Sequence, residues 1–134
     1  MPQISRDKIK KKGFRRFLAS IKYSVEGLIY AYRYEQSLWI HGIASIFAVS
    51  LGIIFRIKLS EWAIVFIALG VILGMELINT AIEAAVDLVT MEIHPLAKIS
   101  KDCGSAASFV LSFVAIVICL FVYGPYFMKV FNFL

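Results

Sequence analysis

The sequence predicts an all-α integral membrane protein with three transmembrane helices and an amino-terminal amphipathic helix on the membrane surface. Three observations carry this. Of the 134 residues, 60% are hydrophobic and 17% charged, whereas soluble domains have about 45–50% apolar and about 25% charged residues. Apolar stretches recur near the roughly 20 residues needed to cross a bilayer. Nine of the fourteen basic residues fall within the first 37 positions, ahead of the first stretch. The expected organisation is a single membrane domain over 1–134, with no space for a soluble catalytic domain. Any catalytic site must be built from the spans and their connections.

Residues 1–12 are polar and basic, a segment expected to fray, and they lack a signal peptide's order of features. Over 14–35, Phe14, Phe17, Leu18, Ile21, Val25, Leu28, Ile29 and Tyr32 recur at three- and four-residue spacing, with Arg15, Lys22, Glu26 and Arg33 between them. That pattern predicts an amphipathic surface helix. The first span is expected over 38–56, interrupted only by His41, Ser45 and Ser50. A polar connection follows, with Ser60 a candidate helix N-cap. The second span, 62–89, is apolar in its first half and carries acids in its second. It exceeds the length a bilayer requires, so its last turns emerge into the interface. A loop is expected over 91–102, broken at His94-Pro95 because proline disfavours helix in the residue before it. The third span, 104–124, opens on Gly104-Ser105-Ala106-Ala107-Ser108 and stops at Gly124-Pro125. Small residues of this kind let membrane helices approach closely.

Basic residues favour the cytoplasmic side. The amino terminus is therefore expected in the cytoplasm, together with the 91–102 loop, and the carboxyl terminus outside. No nucleic-acid motif accompanies the basic patch, so anionic lipid headgroups are its expected partners and nucleic acid is not. Cys103 and Cys119 show no CxxC or Cys/His metal spacing and read as packing residues in a reduced compartment.

The second span holds the chemistry. At 100° per residue, Glu76, Asn79, Glu83 and Asp87 fall within an arc of about 80°. Thr80 borders that arc. Each carboxylate at membrane depth costs about 2.5–3.5 kcal/mol on insertion scales, and neighbouring carboxylates repel one another. A bound divalent cation offsets this economically, because hard cations take carboxylate and phosphate oxygens together. Interhelical hydrogen bonding is the competing account. It suits Asn79 and Thr80, but hydroxyls or amides would join helices at lower cost than Glu83 and Asp87. Asp87 has a further alternative, immersion in headgroup water.

Glu35, where the chain enters the membrane, is either a reach into the same cytoplasmic-side pocket or an interfacial anchor. Lys101 is either a phosphate contact or a topology determinant, and Asp102 is a candidate cap of the third helix. His94 reads as a loop residue and His41 as a hydrogen-bonded neutral histidine. No P-loop, dinucleotide fingerprint or protein-kinase catalytic loop is present.

Glu76-Leu-Ile-Asn79-Thr80-Ala-Ile-Glu83-Ala-Ala-Val-Asp87, then His94, then Lys101-Asp102-Cys-Gly104-Ser105-Ala106-Ala107, resembles the prokaryotic diacylglycerol kinase family. Ala19-Ser-Ile-Lys22-Tyr23-Ser24-Val-Glu26-Gly27-Leu28, followed by Glu35, resembles that family's amino-terminal helix. The resemblance covers nearly the whole chain after Phe14. It implies a homotrimeric bundle with sites shared between neighbouring subunits near the cytoplasmic face of a bacterial cell membrane. It implies transfer of the ATP γ-phosphate to a lipid alcohol with Mg²⁺. It makes Glu76 the catalytic base, and Glu35 and Glu83 the metal carboxylates that also meet ATP. Arg16, Tyr23, Glu92, His94, Lys101 and Asp102 become nucleotide contacts, and Asn79, Asp87 and Ser105 supporting positions.

Within the family the chain looks more like the Gram-positive branch, which phosphorylates undecaprenol, with diacylglycerol as the alternative substrate. From the residues alone, two other classes compete: a small proton- or cation-coupled transporter, and a non-enzymatic assembly subunit. Neither needs the Lys101-Asp102 pair.

Overall fold

The computed structural model describes residues 13–132; the basic segment at 1–12 lies outside them. Four helices follow in order: α1 (Phe14–Tyr34), α2 (Gln36–Phe55), α3 (Leu59–Val89) and α4 (Pro95–Asn132). The chain divides into two compact units, one ending at Tyr34 and the other starting at Glu35. In the first unit, α1 carries an exposed Lys22–Glu26 ion pair one turn apart, with exposed Phe17, Ile21, Val25 and Leu28 elsewhere on the helix.

Among the described residues, α2, α3 and α4 are long and apolar enough to cross a membrane. Their packing inverts a soluble protein. Ile54 and Phe121 are 70% and 79% exposed, whereas Glu76 is 5% exposed. Lipid tails solvate the large apolar side chains, so contacts between helices rest on close approach and polar pairing. Ala48, Val65, Ala68, Ile72, Ala115 and Val122 form the buried interior. Gly52 faces the Trp62 indole so closely that a Cβ there would lie 2.7 Å from the ring.

The turn between α2 and α3 is tight. Arg56 takes a left-handed conformation at φ 52° and ends α2, while the Ile57 N–H returns to the Gly52 carbonyl at 3.2 Å. Such an ending satisfies carbonyls that the last helical turn leaves free. Lys58, not Ser60, holds the N-cap position of α3. The Glu61 carboxylate accepts the Lys58 backbone N–H at 2.7 Å. The reciprocal cap therefore comes from the acid three residues on, a pairing that a search for Ser at the cap misses.

The third hydrophobic helix differs most from expectation. It begins at Pro95, so the expected 91–102 loop shrinks to residues 90–94. Proline fits the first helical position, where its missing N–H costs nothing and its fixed φ suits the helix. His94 stays outside the helix, and its Nδ1 accepts the Leu96 N–H at 3.2 Å. Asp102 is consequently inside α4 and not its cap. The helix also runs through Gly124-Pro125 to Asn132. Membrane helices tolerate an internal proline where surroundings satisfy the freed carbonyl. With 31 and 38 residues, α3 and α4 are about 46 and about 57 Å long. Both exceed the roughly 30 Å hydrocarbon core.

Candidate active site

The acidic stripe of α3 faces α4. Running antiparallel, Glu76 meets Ser108, Asn79 meets Gly104 and Asp87 meets Lys101. The small residues at the start of the expected third span explain the register. A Cβ on Gly104 would lie 2.5 Å from the Asn79 side-chain oxygen, so only glycine admits that amide.

Glu76 is the centre of a three-helix junction. Ser37 of α2 donates to its Oε2 at 2.7 Å. Ser108 of α4 donates to its Oε1, and His41 Nε2 of α2 lies 3.1 Å from the same oxygen. Ser112 Oγ stands 3.4 Å from that imidazole nitrogen. A buried charge survives in an apolar medium only when paired and hydrogen-bonded, and these side chains do that for Glu76. His41 was expected to be a hydrogen-bonded histidine and is one. Its partner, and the roles of Ser37, Ser108 and Ser112, were not foreseen. Their signal was Ser108-x-x-x-Ser112, two hydroxyls on one face of a long apolar helix.

One turn toward the end of α3, Asn79 Nδ2 donates to Glu83 Oε1 at 2.9 Å. The Asn79 side-chain oxygen is buried without a hydrogen-bond partner among the described residues. Glu35 sits extended at the N-cap of α2. Burial holds its carboxyl above the usual glutamate range, and the charges of Glu83 and Glu76 push it further the same way. Glu35, Glu76 and Glu83 therefore share one electrostatic neighbourhood. Its like charges call for a cation, and its oxygens suit a hard divalent one. Among the described residues, no three His, Cys, Asp or Glu side chains converge as a complete metal cage. Glu35 and Glu83 supply carboxylate oxygens of the kind such an ion takes, together with phosphate oxygens and water.

At the end of the bundle, residues 86–102 enclose a groove of about 310 Å³. Asp87, Glu92, His94, Lys98, Lys101 and Asp102 line it, so four expected nucleotide contacts meet in one place. Lys101 is 2.5 Å from Asp87, and Lys98 pairs with Asp102. Lys98 belongs to this set as well. Ser105 is exposed on α4, outside both clusters. Arg16 is exposed on α1, and Tyr23 is 67% exposed there. A second groove, about 440 Å³, runs between α2 and α4 from His41 and Ser112 to Phe127, and its lining is almost wholly apolar.

A buried, donor-held carboxylate with an apolar groove starting at its His41 partner, and a charged groove about three turns further along the same helix, suits group transfer between a polar and a lipid reactant. The family model for prokaryotic diacylglycerol kinase matches residues 22–123. The chain belongs to the prokaryotic diacylglycerol kinase family. It is 34% identical to the undecaprenol kinase of Bacillus subtilis over 110 residues, 82% of this chain and 89% of the relative. It is 32% identical to the diacylglycerol kinase of Helicobacter pylori strain J99 over 117 residues, 87% and 88% of the two chains. With the diacylglycerol kinase of Pseudomonas aeruginosa it shares 36% over 98 residues, 73% and 80%. The protein is a membrane lipid kinase, an enzyme of phosphoryl transfer from ATP. The transporter and assembly-subunit readings fall away.

Proposed function

We propose that this kinase transfers the γ-phosphate of ATP to the hydroxyl of undecaprenol, giving undecaprenyl phosphate. The carrying observation is Glu76: a carboxylate at membrane depth, held by Ser37, His41 and Ser108, with an apolar groove beginning beside His41. The similarity to an undecaprenol kinase over most of both chains supports the choice of alcohol. Diacylglycerol is the second reading, favoured by relatives of comparable identity that bear that name.

Glu76 takes the proton of the lipid hydroxyl as its oxygen bonds to the γ-phosphorus, and the bond from that phosphorus to the β–γ bridging oxygen breaks. ADP leaves. Phosphoryl transfer of this kind is mostly positioning and charge neutralisation. Mg²⁺, held by Glu35 and Glu83, would supply neutralising charge to the phosphate oxygens. Lys101 exchanges Asp87 for phosphate when nucleotide enters the charged groove, Lys98 exchanges Asp102, and Glu92 and His94 line its rim. Asn79 orients Glu83, and Asp87 parks Lys101. Arg16, Tyr23 and Ser105 join the nucleotide and supporting sets through the sequence resemblance alone.

The resemblance to the family supports a homotrimer with sites shared between neighbouring subunits. The basic residue distribution supports a cytoplasmic amino terminus and an external carboxyl terminus, the spacing of its apolar residues supports α1 as an amphipathic surface helix, and the family supports a bacterial cytoplasmic membrane. A lipid panel tests the substrate: purified protein, ATP and Mg²⁺ with undecaprenol or diacylglycerol at matched surface concentration. Higher kcat/KM with undecaprenol is expected. A preference for diacylglycerol would reverse the assignment.

A further inference from the structure

The two oxygens of Glu76 are not equivalent. Oε1 faces two donors, His41 Nε2 and the Ser108 hydroxyl. Among the described residues Oε2 faces one, the Ser37 hydroxyl. Each carboxylate oxygen has two lone-pair sites, so Oε1 is filled and Oε2 keeps one site open. The donors also differ in kind. A serine hydroxyl can rotate its hydrogen away when the carboxylate becomes protonated. An imidazole N–H cannot.

The position of the imidazole proton follows from its neighbours. Ser112 spends its hydroxyl hydrogen on the Ser108 carbonyl at 2.9 Å. Its oxygen therefore turns lone pairs toward His41 Nε2, as does Glu76 Oε1. Two acceptors on one nitrogen require that nitrogen to carry the hydrogen.

We propose that His41 is a positioning residue for catalysis: its Nε2–H occupies Oε1 of Glu76 and leaves Oε2 as the atom that takes the lipid hydroxyl proton. This rests on the reading of Glu76 as the base. Ser37, the partner of Oε2, is in the first turn of α2, two residues after Glu35. The open lone pair therefore belongs to the oxygen on the Glu35 side of the junction, where the metal carboxylates lie. Without the fixed N–H, the carboxylate is free to rotate and to offer either oxygen. A misplaced catalytic group costs up to about 100-fold in rate.

The experiment compares His41→Leu, His41→Gln and Glu76→Gln in the full-length protein, reconstituted with lipid alcohol, ATP and Mg²⁺. Gln places an amide N–H near the position of the imidazole Nε2 and cannot serve as an acid at neutral pH. His41→Leu is expected to lower kcat by about 10- to 100-fold, with KM for ATP and Tm near those of the parent. His41→Gln is expected to recover most of that loss. Full kcat in His41→Leu, or no recovery in His41→Gln while Tm matches the parent, would overturn the positioning role. Should both His41 variants lose Tm, they are compared with each other at a temperature below both transitions. A higher kcat in His41→Gln than in His41→Leu supports the role, and equal values overturn it. Glu76→Gln separates the two claims. If it is inactive while His41→Leu is fully active, the base stands and the positioning role fails. If Glu76→Gln turns over normally, the base assignment itself fails.

Discussion

Glu61 and Glu76 are both carboxylates of α3, fifteen residues apart, and both accept hydrogen bonds from other residues. They differ in where their partners come from. Glu61 accepts the backbone N–H of Lys58, three residues earlier, and the Tyr126 hydroxyl, at 2.7 and 2.6 Å. Its place at the start of the helix accounts for most of that: an acid in the first turn meets free N–H groups and the positive end of the helix dipole. Glu76 is in the middle of the same helix, where the backbone is self-satisfied. Among the described residues its donors are side chains of α2 and α4, brought in by tertiary packing. An acid at a helix end stabilises the fold locally. An acid in mid-helix finds no free backbone N–H, so its donors must come from other helices.

Charge removal should separate the two most sharply. Glu76→Gln is nearly isosteric but cannot take a proton. Removing a general base costs about 10²- to 10⁴-fold, so kcat is expected to fall by at least 100-fold while nucleotide binding survives. Steady-state kinetics with a nucleotide-binding assay checks this. Activity within tenfold of the parent would remove Glu76 from the chemistry.

Next in size come Glu35 and Glu83, the carboxylates proposed to hold the metal. Glu35→Gln and Glu83→Gln are each expected to weaken Mg²⁺-dependent ATP use by about tenfold or more, read as a rightward shift of the Mg²⁺ activation curve. Glu35 adds a pH signature. Its carboxyl titrates above the ordinary range because of burial first and the Glu83 and Glu76 charges second. A raised folded-state value means that folding favours the protonated form. That stability is present below the unfolded value and is lost as pH rises through the folded one. Metal binding needs the carboxylate and runs the other way. In EDTA, acidification toward the ordinary carboxylate range should therefore favour this group's contribution to Tm, while Mg²⁺ activation weakens over the same window. Glu83→Gln removes one repelling charge and should move the Glu35 midpoint down. An unchanged midpoint would mean that the two acids do not interact.

Much of this was legible in the sequence. The helical period put Glu76, Asn79, Glu83 and Asp87 on one face, and the structure turns that face to α4. The resemblance groups Glu92, His94, Lys101 and Asp102 as nucleotide contacts, and the four line one groove. Partners contributed by other helices were less legible. Ser37 and Ser108 are unremarkable serines in sequence, and only antiparallel register sets them against Glu76. The start of α4 was misplaced because His94-Pro95 breaks helix on one side and begins it on the other. Proline's effect on the residue before it and its fitness for the first helical position are the same geometry.

Gly104→Ala should be smaller again, and informative because two effects oppose. Replacing an interior helical glycine by alanine gains about 1 kcal/mol of helix propensity. Overpacking a tight contact costs about 1–3 kcal/mol, and here the new methyl meets the amide that bonds to Glu83. Net stability should change little while Asn79 is displaced, so activity falls by several-fold at a nearly constant Tm. A parental KM for Mg²⁺ and a parental kcat would show that Asn79 does not support Glu83.

Tyr126→Phe closes the comparison from the Glu61 side. The change removes one donor to Glu61 and leaves the Lys58 N–H in place. The remaining cap is local to α3, so the helix keeps its start, and the Phe55–Tyr126 ring stack at 5.7 Å needs no hydroxyl. A small fall in Tm is therefore expected, with kcat and both KM values unchanged. This outcome follows if the end of the bundle bearing Glu61 serves the fold and the junction at Glu76 serves the reaction. A Tyr126→Phe enzyme with normal Tm and reduced kcat would break that division, because it would tie the Glu61 end to catalysis through α4, the helix that carries both Tyr126 and Ser108.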